Sequence, residues 1–527
     1  MASCKYYKQV RQVSYDSGVT WISLDEYQKG DLYENDSPDC GGGITQYRWV
    51  NVSGEYTCVG TTKYQKTKKQ QSTDGGQTWT DVNPPEYSTG GVIERESSDC
   101  GGGSGYENQY LTLVAKGSGS IVLSATNETF QYSKDEGNTW ATATSASTIS
   151  VSNGDRVMFK GTLTPKPVSS TFGIGHFSAS TQFEAEGNPM SLLFGDDFRG
   201  QASLSGKENA FANLFGGYSF ITADYQLTSI DNLVLPATTL SQRCYDRMFI
   251  NCRSLTSIPS NLLPATTLAK ECYSSMFEDC TSLTSIPSNL LPATTMVDYC
   301  YYLMFNGCTS LTSIPSNLLP STTLARYCYG QMFADCTSLT SVPSGLLPAT
   351  TLARACYYEM FRNCTSLSSV PSNFLPATTL AAECYINMFE DCTSLATAPS
   401  LPATTLAAFC YDYMFVGCTS LTTPPSLPAT TLEQGCYNHM FSNCTSLTTA
   451  PVLSAPTLEY RSYEGMFYNC SRLNYIKCLA TDISATDCTA HWVTSVASSG
   501  TFVRPSSMSG WSRGVDGIPN NWTVQNA

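Results

Sequence analysis

The chain has 527 residues, with 29 Lys plus Arg against 43 Asp plus Glu and a formal net charge of -14. That length exceeds one ordinary domain, and the acidic balance excludes a nucleic-acid binder, which needs a basic face to displace phosphate counterions. Only 14% of residues are charged and 41% are apolar, so the chain can bury a core, while His176, His439 and His491 leave little material for acid–base or metal chemistry.

The N-terminus, MASCKYYKQVRQVSYDSGVTW, lacks the apolar stretch of a secretory signal. No run of 18 apolar residues occurs anywhere, so no membrane-inserting segment is expected. Folding in a cytoplasm is therefore expected, unless an export signal has been trimmed away. Residues 1–104 contain a duplication. Ser14-Tyr-Asp16-Ser-Gly-Val-Thr-Trp21 matches Ser72-Thr-Asp74-Gly-Gly-Gln-Thr-Trp79, and a third copy stands at Ser133-Lys-Asp135-Glu-Gly-Asn-Thr-Trp140. This pattern suits a hairpin turn: Asp caps backbone amides, Gly takes the left-handed conformation and Trp packs beneath. It resembles the Asp-box of sialidases and related β-proteins. Three boxes about 60 residues apart do not make a propeller, and no acid–nucleophile pair of a glycosidase can be picked out. We read Asp16, Trp21, Asp74, Trp79, Asp135 and Trp140 as structural hairpin residues, with 1–104 a duplicated small β-module.

Residues 105–165 alternate like strands, as in Tyr110-Leu-Thr-Leu-Val114 and Val157-Met-Phe159, and predict a small antiparallel β-sandwich, Ig-like. Residues 166–226 read as a β-rich connector, with Phe211-Ala-Asn-Leu-Phe215 a degenerate first repeat that caps the array beginning at 227.

From 227 to 478 the chain is repetitive. Met-Phe recurs with Met at 248, 276, 304, 332, 360, 388, 414, 440 and 466, at spacings of 28 and then 26. In the unit LTSIPSNLLPATTLAKECYSSMFEDCTS, Leu268, Cys272, Met276 and Cys280 recur every four residues, which predicts one apolar face of a helix. Leu283-Thr-Ser-Ile286, stopped by Pro287, predicts a very short strand. Strand, turn and helix repeated every 26–28 residues predict an α/β leucine-rich-repeat solenoid, closed by a C-terminal cap over 479–527. The same repeat explains most of the 23 cysteines. Sixteen form pairs at i and i+8, about 12 Å apart on a helix, too far for a disulfide. They also lack the short spacing of zinc ligands. Small buried thiols are the best reading, ahead of disulfides and metal ligands. Tyr273 and its equivalents are expected to flank the core with hydroxyls able to reach the surface. The variable pairs flanking Met-Phe are expected on the outer helical surface.

The text Met276-Phe277-x-x-Cys280-Thr-Ser-Leu-Thr-Ser with Leu263-Pro-Ala-Thr-Thr-Leu closely resembles the BspA-like leucine-rich-repeat family. The resemblance implies a surface protein of gut bacteria or of their phages. The missing export signal favours the second: a non-enzymatic virion protein, a head or tail fibre or appendage, with a bacterial cell-surface adhesin as the alternative. By analogy with other leucine-rich repeats, Ser257, Ser285, Ser313, Ser341, Ser369, Thr397, Thr423 and Thr449 form a concave hydroxyl ladder for binding. The expected partners are other virion proteins through the N-terminal modules, a host receptor or glycan through the repeats, and further copies of the chain in a homo-oligomer. No cofactor, metal or nucleic acid is called for.

Overall fold

A computed structural model describes the backbone of six strands within residues 6–94, and residues 106–125, 128–145, 147–170, 173–216 and 226–527. The chain divides into two units, Met1–Gly105 and Tyr106–Ala527. In the first, β1 (Tyr6–Val13) pairs antiparallel with β2 (Ile22–Leu32). Separately, β4 (Thr62–Ser72) pairs antiparallel with β3 (Gln46–Val59), β5 (Thr80–Asp81) and β6 (Tyr87–Glu94). The hairpin residues Asp16, Trp21, Asp74 and Trp79 lie outside the described residues.

The second unit opens with β7 (Leu111–Ala115), β8 (Gly119–Leu123), β9 (Phe130–Ser133), β10 (Ala141–Ala143), β11 (Ile149–Val151), β12 (Arg156–Lys160), β13 (Phe177–Ala179) and β14 (Phe183–Gly187). β15 (Leu227–Leu233) completes a six-stranded sheet in the order β10-β9-β12-β7-β14-β15, while β11-β8-β13 forms a second. Alternate residues such as Leu111, Leu113, Val157 and Phe159 are buried, as the period-two pattern requires. Phe159 meets Phe177 of the other sheet at 4.9 Å between ring centroids. β14 pairs antiparallel with β7 and parallel with β15. One sheet thus draws strands from all three segments of 105–165, 166–226 and the first repeat.

The repeats contain no α-helix; the one α-helix among the described residues is α1 (Ser191–Phe194). No described helix is long and apolar enough to cross a membrane. The expected α/β character is corrected accordingly. Each segment read as a helix is a string of four-residue turns. Glu271, Ser275 and Asp279 have φ of 57°, 53° and 57°, and a left-handed residue at every fourth position cannot sit in a right-handed helix. Backbone donors then alternate. Cys272 and Met276 N–H donate three residues back, to Ala269 and Tyr273 O. Tyr273, Ser275, Phe277 and Asp279 N–H donate to Cys300, Tyr302, Met304 and Asn306 O in the next unit. The short strands are corrected too. Between β15 and β16 (Tyr475–Lys477) the Leu-Thr-Ser-Ile segments make only single bridges, such as Ser341 with Ser369 and Thr397 with Thr423, because Pro287 and its equivalents lack the N–H that a longer ladder needs.

Apolar side chains follow the backbone into columns. Successive phenylalanines from Phe249 to Phe467 stack 5.3–5.9 Å apart, and successive tyrosines from Tyr245 to Tyr437 stack 5.7–6.0 Å apart. Phe215 and Phe211 head the two columns. Trp492 ends both, 6.2 Å from Phe467 and 6.4 Å from Tyr463. Beyond it, β16, β17 (Thr501–Arg504) and β18 (Thr523–Asn526) form a parallel sheet.

The left-handed residue before the second cysteine of each unit is Asn, Asp or Gly at 251, 279, 307, 335, 363, 391, 417, 443 and 469, residue types that tolerate this conformation. Asn251→Val should therefore lower unfolding free energy by about 1–2 kcal/mol, while Asn251→Gly stays within a few tenths; urea unfolding of both variants checks this, and equal effects would refute it.

Candidate binding surface

The hydroxyl ladder sits on the segment between each Leu and the following Pro. Seven of its members, Ser285, Ser313, Ser341, Ser369, Thr397, Thr423 and Thr449, are exposed, and their side chains take no hydrogen-bond partner among the described residues. Ser257 is half-buried and donates to Asp231 Oδ1 at 2.9 Å. The residue preceding each is also exposed and, apart from Ala396, carries a hydroxyl: Thr256, Thr284, Thr312, Thr340, Ser368, Thr422 and Thr448. The result is a strip two hydroxyls wide with no charged side chain at these positions. Equivalent residues are held in register by the bridges 341 to 369 and 397 to 423, and by Thr422 N–H on Ala396 O at 3.2 Å. Free hydroxyls repeated along a fixed backbone can donate to and accept from polyols or peptide groups.

The third hairpin motif is a turn between β9 and β10. Asp135 Oδ1 accepts from Ser133 Oγ at 2.7 Å and Thr139 N–H at 2.9 Å, and Oδ2 accepts from Thr139 Oγ1 at 2.6 Å. These bonds, the Thr139 hydroxyl first, hold its pKa down to about 2. Gly137 has φ of 86°. Trp140 is half-buried, with Tyr110 at its edge and Lys160 Nζ 4.2 Å from its ring centroid.

The turn segments differ from the expected outer surface. Asp246, Ser274, Ser275, Glu359 and Asn438 are buried, because neighbouring units pack across these positions. The repeated tyrosines are interior as well: Tyr273 is 1% exposed and its hydroxyl has no partner. A second group of tyrosines, off the repeat pattern, is half-buried. Tyr299 and Tyr327 stack at 5.0 Å, with Tyr302 and Tyr358 edge-on to Tyr327. Tyr302 donates to Gln331 Oε1 at 2.8 Å, and Gln331 Nε2 donates to Glu359 at 2.6 Å. Burial pushes the Tyr302 hydroxyl up to about 12. Three adjacent units each carry an extra Tyr beside Cys-Tyr, a signal present in the sequence.

Nineteen cysteines of the second unit, from Cys244 to Cys488, are free thiols. In the second column each S–H points at the carbonyl of the preceding unit's Phe, as for Cys364 on Phe333 O at 3.1 Å and Cys470 on Phe441 O at 3.0 Å. That carbonyl already accepts a backbone N–H from its own unit, so the thiol uses its second lone pair. Burial pushes Cys470 up to about 12. Among the described residues no His, Cys, Asp and Glu cluster is arranged to hold a metal ion.

A family model described as "BspA type Leucine rich repeat region" matches residues 219–367 and 387–487, in six copies. No curated protein and no solved structure matches the chain.

The buried thiols and one half-buried carboxyl are each open to titration. Because thiolate is the reactive form, native protein without reductant should titrate with few thiols, and the repeat thiols should all appear on denaturation; a shortfall after denaturation would mean disulfides. Asp412 gives a pH dependence. Burial, then the charge of Glu464, raise its pKa to about 8, and its Oδ1 has no partner. A folded pKa above the unfolded one gives stability that is full below about pH 4 and lost as pH rises through the folded value. The urea midpoint should fall between about pH 5 and about pH 9, and Asp412→Asn should flatten that fall; an unchanged slope would remove Asp412 as its source.

Proposed function

Because residues 219–367 and 387–487 are BspA-type leucine-rich repeats, we propose that the chain is a non-enzymatic attachment protein whose repeats present a surface to a host cell or its glycans. The supporting feature is the exposed hydroxyl strip from Ser285 to Thr449, in which only Ser368 and Thr422 donate to backbone carbonyls, of Thr340 and Ala396, among the described residues, and which the stack holds in register.

Its site of action in this reading is a phage virion, as a head or tail fibre or appendage joined to other virion proteins through residues 1–104. One observation favours this over a bacterial cell-surface adhesin. The chain buries nineteen free thiols, including one in every repeat that donates to a carbonyl. Such an interior suits folding in a reducing cytoplasm, where virions assemble, better than folding after export.

The test has two arms. Fluorescently labelled full-length protein should bind intact gut bacteria, and the triple variant Thr397→Lys, Thr423→Lys, Thr449→Lys should bind about tenfold less with an unchanged melting temperature. Antibodies against the chain should decorate purified phage particles. Decoration of uninfected bacteria instead would establish the adhesin, and undiminished binding by the triple variant would remove the hydroxyl strip from the contact.

A further inference from the structure

A cleft remote from the repeats has a chemistry the attachment reading does not use. It lies between β9, β10, the end of β12 and the turn after α1, with a volume of about 390 Å³. Ligand pockets run from roughly 300 to 1,000 Å³, so one or two sugar rings fit. Thr129, Gln131, Thr142, Thr162 and Asp197 supply its polar groups, and Phe194 a half-exposed apolar wall.

The one cation in the lining is already paired. Lys160 is 9% exposed. Its Nζ donates to Asp196 Oδ1 at 2.8 Å and Oδ2 at 3.0 Å, and sits 4.2 Å from the Trp140 ring centroid. An ammonium has three donors: two go to Asp196, and the third faces the ring. Asp196 also accepts from Tyr110 Oη at 2.6 Å. No unpaired cation is among the lining residues, and the free Asp197 carboxylate further disfavours a phosphate or another anion; Lys207 Nζ stands outside the lining, 5.7 Å from the Phe194 ring centroid. What remains free is a carboxylate at Asp197, an amide at Gln131 and three threonine hydroxyls, none with a side-chain partner among the described residues. Uncommitted acceptors and donors beside an apolar wall match a molecule with many hydroxyls on one face and C–H groups on the other.

The geometry points to a binding site for a neutral saccharide in this cleft, with Asp197 and Gln131 accepting from and donating to sugar hydroxyls and Phe194 packing on the ring. The Lys160–Asp196 pair fixes the floor as a positioning element. The site is independent of the repeat surface, and the two can fail separately.

Saturation-transfer NMR on the full chain tests it, with methyl α-mannoside, methyl β-galactoside, N-acetylglucosamine, lactose and chitobiose as neutral probes and sialic acid and glucose 6-phosphate as anionic ones. At least one neutral sugar should show transfer. The variant Asp197→Ala with Gln131→Ala should weaken it at least about tenfold, as should Thr142→Trp, which fills the cleft from an exposed strand position. The Thr397, Thr423 and Thr449 lysine variant should bind the sugar as the parent does. Transfer to no neutral sugar, a preference for the anions, or undiminished binding by the cleft variants overturns the proposal.

Discussion

The repeat array depends on how its backbone donors are shared. In each turn segment half the N–H groups close turns within the unit and half cross to the next, as Met276 on Tyr273 and Phe277 on Met304 show. An α-helix would keep every donor to itself and leave units linked by side chains alone. Here a unit without a neighbour leaves a row of buried donors or carbonyls unpaired, at about 1–3 kcal/mol each. The left-handed residue at every fourth position costs roughly 1–2 kcal/mol for a residue with a side chain, and the crossing bonds offset it.

That constraint dictates both ends. At the first coil, carbonyls at Ala210, Ala212 and Leu214 face no preceding repeat. Ile174, Gly173 and Phe177 of the β-sheet region donate to them. At the last coil, the donors of Val493 and His491 meet Val515 O and the Asp516 carboxylate, the latter at 2.6 Å. Trp492 closes both aromatic columns, and its indole donates to Gly517 O at 2.8 Å. The caps are therefore chemical as well as steric. The cysteines obey the same logic: Cys is small enough for a close-packed column and still donates to a carbonyl with a spare lone pair.

The repeat, its length, its Leu, Cys, Met and Phe core positions and the N-terminal cap at Phe211 and Phe215 are readable in the sequence, because burial depends on side-chain spacing; the burial of Ser274, Ser275 and Glu359 and the capping role of Trp492 are not. Backbone conformation is not. Leu268, Cys272, Met276 and Cys280 recur every four residues, which over three steps fits a helix and a string of four-residue turns alike. The discriminating signal is Asn, Asp or Gly before every second cysteine, as at Asp279, Gly307 and Asp335, where the change of residue type resembles surface drift. The exposure of Ser285 and its equivalents follows from their place between a buried Leu and a Pro. The cleft beside Lys160 cannot be read so, because Gln131, Thr142, Lys160 and Asp197 meet only through strand pairing and a turn more than thirty residues away.

The low charge of the chain acquires a physical sense from these arrangements. A charge within the turn segments would lie in a stack of half-buried positions, where Asp412 shows the penalty as a carboxyl raised to about 8. Some of the charges that do enter are paired, as Asp246 with Arg243 and Arg247. The outer strip carries hydroxyls in place of charge, which keep water without repelling the equivalent residue one unit away. A surface of that kind has no long-range field to steer a partner. In the proposed attachment reading, contacts with a partner come from short hydrogen bonds to hydroxyls that the bridges of the stack hold in register.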